Sequence, residues 1–195
     1  VRLFVAVDID DQTRAQLASV RESIQSVVST ARVPPRITWV KEEAAHVTLR
    51  FIGETTDATV GIVKQTLERR FDSEPFDVEW QRVGTFPGGR HPRVIWIGSS
   101  ANSTPLSTLA DEVNERLASI VGPGESRPFS PHVTVGRVKE PGGGVDWPQV
   151  IAAAHWKPII SRIDHVTLYA SRTSPSGATY TALTRASLKP SRRRG

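Results

Sequence analysis

His46-Val47-Thr48-Leu49 and, far along the chain, His132-Val133-Thr134-Val135 read as one short strand written twice. In an extended strand residues two apart share a face, so His46 and Thr48 look one way while Val47 and Leu49 look the other; His132 and Thr134 repeat the arrangement. If the two strands lie side by side, two imidazoles and two hydroxyls converge on one small volume, with aliphatic side chains anchored in the core behind them. Histidine is the one side chain whose ordinary pKa lets it give or take a proton near neutrality, so such a pair is an acid/base site suited to a phosphate ester. A third copy, HVTL at His165 to Leu168, complicates the count. Three of the five histidines precede Val-Thr, and Val and Thr favour strands in their own right. Recurrence alone does not choose the pair.

The flanking pattern does better. Arg2 to Ile9 alternates like a strand, and Leu17, Val20, Ile24, Val27 and Val28 form the apolar face of a helix capped by Asp10 or Asp11 and ended before Pro34-Pro35. Ile37 to Val40 is a short strand before the first motif strand, His46 to Ile52. A helix from Asp57, with Val60, Val63, Leu67 and Phe71 on its apolar face, leads to a strand over Phe76 to Phe86. After the loop Pro87 to Pro92 the series restarts. Arg93 to Gly98 is a strand, Ser103 or Thr104 starts a helix with Leu106, Leu109, Val113, Leu117 and Ile120 buried, and His132 to Val138 is the second motif strand. A short helix capped by Asp146 and blocked at Pro158 follows, then strands over Ile159 to Ser171 and Ala178 to Ser187 around an SPSG turn. Both halves run strand, long helix, HxT strand, helix, strand. The first motif begins 44 residues after Arg2 and the second 38 after Val94. A duplication of this kind relates the motif strands by a pseudo-twofold axis, sets His46 and His132 across one cleft and leaves His165 outside the correspondence.

Composition bounds the chemistry. At 195 residues the chain fits a single domain of two fused lobes, about 1–90 and 91–187, with a basic tail at 188–195. A hydrophobic content of 38% beside 23% charged residues is that of a soluble globular protein. No apolar run approaches the roughly 20 residues of a membrane span, and Val1 to Ile9 lacks the basic start and apolar core of a secretory signal, so a cytoplasmic location is expected. The absence of cysteine excludes disulfides, thiolate metal ligands and cysteine nucleophiles. The net charge of +5 and sequence pI near 10.1 favour an anionic partner, with Arg185, Lys189 and Arg192 to Arg194 supplying much of the charge.

With these residues in hand, the chain resembles the two-histidine phosphoesterase superfamily, and within it the RNA 2′,3′-cyclic phosphodiesterases, also called 2′-5′ RNA ligases. The resemblance runs nearly end to end: RLFVAVDI at the start, ITWV, HVTLRFIGE, FDVEWQRVGTFP, PRVIWIG, SPHVTVGR and LYASRTSPSGATY. It implies a bilobal α/β fold of the α+β type, with antiparallel sheets lining a central cleft and helices outside. It also implies that His46 is the general acid and His132 the general base, that Thr48, Thr134 and Arg137 bind phosphate, and that no metal or cofactor is needed. The implied substrate is RNA or a nucleotide ending in a 2′,3′-cyclic phosphate, hydrolysed to a 2′-phosphate, with 2′-5′ ligation as the reverse reaction. The protein is expected to act as a monomer without a membrane.

Other residues are read more plainly. The Leu168 to Ser171 pattern matches a non-catalytic family strand, which makes His165 incidental or peripheral. His91 is a loop residue and His155 a packing residue on the short helix. Phe86 is read as core, although a strand-end aromatic could stack on a base. Gly142-Gly143-Gly144 lacks the Gly-Lys-Ser/Thr ending of a phosphate loop. Three rivals stand beside the main reading. One is a metal-dependent hydrolase, although neither motif holds a carboxylate or second histidine at ligand spacing. The others are a non-catalytic RNA- or nucleotide-binding module, and a phosphodiesterase for a cyclic ADP-ribose phosphate or a 2′-5′ oligonucleotide.

Overall fold

A computed structural model describes residues 1–99, 104–174 and 177–190. In order the chain forms β1 (Arg2–Asp8), α1 (Asp11–Val28), β2 (Arg36–Trp39), β3 (His46–Glu54), α2 (Asp57–Glu68) and β4 (Phe76–Phe86). It continues through β5 (Val94–Ser99), α3 (Thr104–Val121), β6 (His132–Glu140), α4 (Trp147–Ala153), β7 (Ile159–Ile163), β8 (His165–Ser174) and β9 (Gly177–Ser187). Three helices begin on side-chain caps, with Asp10, Thr56 and Asp146 accepting from the backbone N–H groups of Thr13, Thr59 and Gln149. Each cap satisfies a backbone donor that the helix itself leaves free. Residues 191–195 of the expected basic tail lie outside the described residues, as does Ser103.

The strands order as β7-β4-β5-β6-β3-β1-β8-β9, all antiparallel, with β2 also pairing β6. β3 meets β6 at the single pair Val47–Val133, beyond which β2 and Val40 take the edge of β6. The nine-stranded sheet therefore divides at the motif strands into β7-β4-β5-β6, with β2 added on β6, and β3-β1-β8-β9, and the order of the eight consecutive strands is symmetric about that hinge. The expected cut near residue 90 is not how the strands pair. β4 from the first half of the chain joins β5, β6 and β7, while β8 and β9 from the end join β1 and β3. Helices cross over in the same symmetric way: α1, which follows β1, packs on β6, β7 and α4, and α3, which follows β5, packs on β3 and α2.

Two expectations of extent need correction. Ile159 to Ser171 is not one strand, because the chain breaks at Asp164 to send β7 to the edge of one half of the sheet and β8 into the other half, between β1 and β9. Phe71 is fully buried but lies beyond α2, where its backbone N–H donates to the Ser187 carbonyl and Arg116 covers its ring at 4.0 Å. The core behind the motif strands is aliphatic. Leu3, Val5 and Val7 of β1 join Val47, Val133 and the α1 residues Leu17, Val20 and Ile24 in one buried cluster. Each such side chain contributes roughly 1.5–3 kcal/mol by leaving water.

Candidate active site

Continuing the Val47–Val133 register by one residue in each direction sets His46 opposite Thr134 and Thr48 opposite His132. Directly opposed residues of antiparallel strands share a face, so all four side chains gather on one patch. The two histidines are held alike. The Nδ1–H of His46 donates to the Ala44 carbonyl at 2.7 Å, and that of His132 donates to the Ser130 carbonyl at 2.7 Å. A carbonyl only accepts, so in each ring Nδ1 keeps its proton and Nε2 is left for chemistry.

Arg137 reaches the same face through a bulge. Trp96 pairs with Thr134 but Ile95 pairs with Gly136, which makes Val135 an extra residue, and Val94 then pairs with Arg137. Val94 and Trp96 share a face by alternation, so Arg137 returns to the side of His132 and Thr134; unbroken alternation would have sent it to the other. The positive charge of Arg137 is felt at His46, which supports the convergence. β3 carries the matching bulge at Leu49, since Ala6 pairs with Thr48 and Val5 with Arg50. Phe51 thereby occupies the position equivalent to Arg137 and is 60% exposed. The pseudo-symmetric site is thus charged on one side and aromatic on the other.

Electrostatics separate the histidines further. Burial pushes the pKa of His46 below the ordinary value; its hydrogen bond to Ala44 and the charge of Asp8 oppose the shift, while Arg137 and His132 add to it. In the free protein near neutrality His46 is therefore mostly the neutral imidazole.

Asp8, the register partner of His46, was not singled out by the sequence. Its carboxylate accepts from His165 Nε2 at 2.8 Å, Thr167 Oγ1 at 2.9 Å, Arg185 Nη2 at 3.0 Å and the Tyr169 hydroxyl. Burial would raise its pKa, but the bonds from His165, Tyr169 and Thr167 outweigh burial and hold the carboxyl well below the usual range. His165 also contacts Asp164 through Nδ1, so both ring nitrogens meet carboxylates and the imidazole is held as a cation. Its pKa is raised, first by the bond to Asp8, against the effect of burial. The third HVT copy therefore braces Asp8 beside His46. The only signal in the sequence was a lone carboxylate ending an apolar strand.

Aromatic rings flank both histidines. Phe86 is half-buried rather than core: it stacks on Trp96 at 4.9 Å and stands edge-on to His132 at 5.1 Å. On the other side Phe4 lies 4.9 Å from His46, and Tyr180 stands edge-on to His46 at 5.2 Å. His91 is exposed, as expected. His155 is exposed and lies past the end of α4, its backbone N–H donating to Ser23 Oγ at 2.8 Å, so it is not the helix packing residue expected. Among the described residues no three or more His, Cys, Asp or Glu cluster as metal ligands, and no helix is long and apolar enough to cross a membrane.

Two histidines with free Nε2 atoms, two hydroxyls and an arginine at the junction of a symmetric antiparallel sheet are the parts of an acid/base phosphoesterase. Residues 9–175 match the 2′-5′ RNA ligase superfamily, and the chain belongs to that family. It is 30% identical over 184 residues to a Thermotoga maritima protein named RNA 2′,3′-cyclic phosphodiesterase, spanning 94% of this chain and 93% of that one. A protein of the same name from Archaeoglobus fulgidus is 34% identical over 139 residues, covering 71% of this chain and 73% of the relative. Among solved structures, Escherichia coli LigT in its apo form superposes with a TM-score of 0.70 at 25% identity over 96% of each chain. A Thermus thermophilus structure, 24% identical, shares the fold with a TM-score of 0.77, covering 98% of this chain and all of that one.

Proposed function

We propose that this protein hydrolyses the 2′,3′-cyclic phosphate end of RNA, or of a nucleotide, to a 2′-phosphate without a metal ion. The observation that carries the reading is the pair of rings on opposed strands, each with Nδ1–H tied to the carbonyl two residues before it. Water attacks phosphorus in line with the departing O3′. His132 Nε2 takes the water proton while His46 Nε2–H protonates O3′, each step contributing about 10²- to 10⁴-fold. Thr48 and Thr134 donate to the non-bridging oxygens, and Arg137 balances the charge that builds on them. His46 is mostly neutral in the free protein, and the arriving phosphodiester anion favours its protonated form, so substrate binding prepares the acid. With a 5′-hydroxyl in place of water, the same displacement of O3′ joins two ends through a 2′-5′ link, so the ligation expected as a reverse reaction is the same forward step with a different nucleophile. The reading is supported by relatives named as RNA 2′,3′-cyclic phosphodiesterases.

The test is incubation of cyclic-phosphate-ended RNA with the protein in excess EDTA. The expected product is a 2′-phosphate, identified by mass and regiochemistry. Activity lost in EDTA and restored by zinc or manganese would instead support a metallohydrolase.

A further inference from the structure

On the His132 side of the site two glycines seat an indole. Trp96 lies over Gly84 and Gly98, where an added Cβ would come within 2.3 Å and 2.8 Å of its ring carbons. Phe86 stacks on that indole at 4.9 Å and stands edge-on to His132 at 5.1 Å, while part of its ring stays in solvent. Arg82 completes the strip. It pairs with Gly98, which pairs with His132, so the exposed arginine stands on the histidine face two strands away, about 10 Å along the sheet. Attack by water needs neither an aromatic platform nor an outlying cation. We propose that this strip binds the 5′-terminal nucleoside of a second RNA, with its base on Phe86, its 3′-phosphate at Arg82 and its 5′-hydroxyl held at His132 in competition with water.

The inference rests on the ligation reading above, and in-line displacement gives it direction. O3′ leaves toward His46, so the attacking oxygen approaches from the side of His132, beside the ring of Phe86. The bond from the acceptor O5′ to phosphorus forms as the bond from phosphorus to O3′ breaks. The 5′-hydroxyl proton passes to His132 Nε2, and the His46 Nε2–H proton goes to O3′. One 2′-5′ phosphodiester and one free 3′-hydroxyl result, and no other reactant is consumed. Water is always present in excess, so an alcohol competes only when it is bound and oriented. The strip supplies that binding in a form suited to an RNA end. Phe86 on its seated indole offers a π face to any base, and because the rings are already packed they lose little freedom when a base arrives. The exposed guanidinium of Arg82 suits the first phosphate beyond that nucleoside. If Phe86 and Trp96 only packed around His132, replacing them would slow attack by water and by alcohol alike.

The experiment supplies cytidine 2′,3′-cyclic phosphate together with adenylyl-(3′→5′)-adenosine as acceptor and measures the ratio of 2′-5′-linked product to hydrolysis product. Changes in the shared chemistry cancel in that ratio, which should rise with acceptor concentration. Phe86→Leu, which keeps apolar bulk without a π face, should lower it about ten-fold, the effect of one stacked base. Arg82→Ala should lower it for the dinucleotide but not for adenosine, which has no phosphate. The advantage of the dinucleotide over adenosine should shrink about five-fold for a ten-fold rise in salt, the slope of one single-strand phosphate contact, and should be absent in Arg82→Ala. A ratio unchanged in both variants would overturn the proposal and leave the aromatic pair as support for His132. If wild type transfers to neither acceptor, the ligation reading fails separately. Calorimetry of the dinucleotide with protein saturated in inorganic phosphate then still decides the subsite: binding about ten-fold weaker in Phe86→Leu sustains it, and unchanged affinity ends it.

Discussion

Asp8 and His165 are joined by a hydrogen bond of 2.8 Å between Oδ2 and Nε2, one strand away from His46. That bond gives the third HVT sequence a partner of its own, because its imidazole meets the Asp8 carboxylate. The sign of its contribution follows from both partners. His165 has a raised pKa, so its contribution to stability is complete below the ordinary histidine value and is lost as pH rises through the folded one. Asp8 has a depressed pKa, so its share is present above the ordinary carboxylate value and is lost only as pH falls through the folded one. His165→Ala should therefore cost about 1–3 kcal/mol in mild acid, the scale of a hydrogen bond to a charged group. The cost should shrink in alkaline buffer, where the wild type loses the same contribution. Urea denaturation at about pH 6 and about pH 9 measures the difference. The folded variant should keep most of its kcat; a loss as deep as that of His132→Ala would make the third copy catalytic.

Arg137 tests the bulge. A guanidinium returned to the histidine face by Val135 should contribute as an oxyanion donor does, so Arg137→Ala should lower kcat/KM by about 10²- to 10³-fold. Arg137→Lys should recover part of that, because the charge survives while the planar fork does not. Steady-state kinetics on a cyclic phosphate decides it, and an alanine variant within about two-fold of wild type would place Arg137 among ordinary surface residues.

What the sequence made legible was local. The alternation of Val47 and Leu49 against His46 and Thr48, the stripe of Leu17, Val20 and Ile24, and the caps at Asp10 and Asp146 follow from one strand or one helix at a time, and the structure has all of them. Features that depend on a partner strand were hidden. The bulge at Val135 shows only in how β6 pairs with β5, and the break at Asp164 shows only because β7 and β8 belong to opposite halves of the sheet. The duplicated order of elements was correct in sequence, but exchange of β4, β8 and the two long helices across the hinge has no local signature. For the same reason Asp8 looked like a strand end until His165, Thr167, Tyr169 and Arg185 were brought around it from β8 and β9.

The pH profile should register the burial of His46. Hydrolysis by one acid and one base gives a bell whose limbs report macroscopic pKa values of the pair. In kcat/KM, which reads the free protein, one limb should lie below the ordinary histidine value of about 6.5, because burial holds the His46 pKa down. In kcat, which reads the bound state, that limb should move upward as the phosphodiester anion favours the imidazolium. Parallel profiles of the two parameters check this, and a limb that stays put between them would show that phosphate charge is not felt at His46.

The assignment of roles within the pair is the remaining step, and leaving-group chemistry separates them. Each single alanine variant should lose about 10²- to 10⁴-fold, the contribution of one acid or one base, so the losses alone do not distinguish His46 from His132. A phosphodiester with a nitrophenolate leaving group departs without protonation, which makes the acid dispensable while water still needs a base. On that substrate His46→Ala should recover most of the wild-type rate, and His132→Ala should remain slow. Each ring keeps Nδ1 on a carbonyl and presents Nε2, so the result depends on which side the leaving oxygen occupies. Recovery of His132→Ala instead would exchange the roles and, because O3′ would then lie on the side of Phe86 and Trp96, would carry the terminal nucleoside across the site with it.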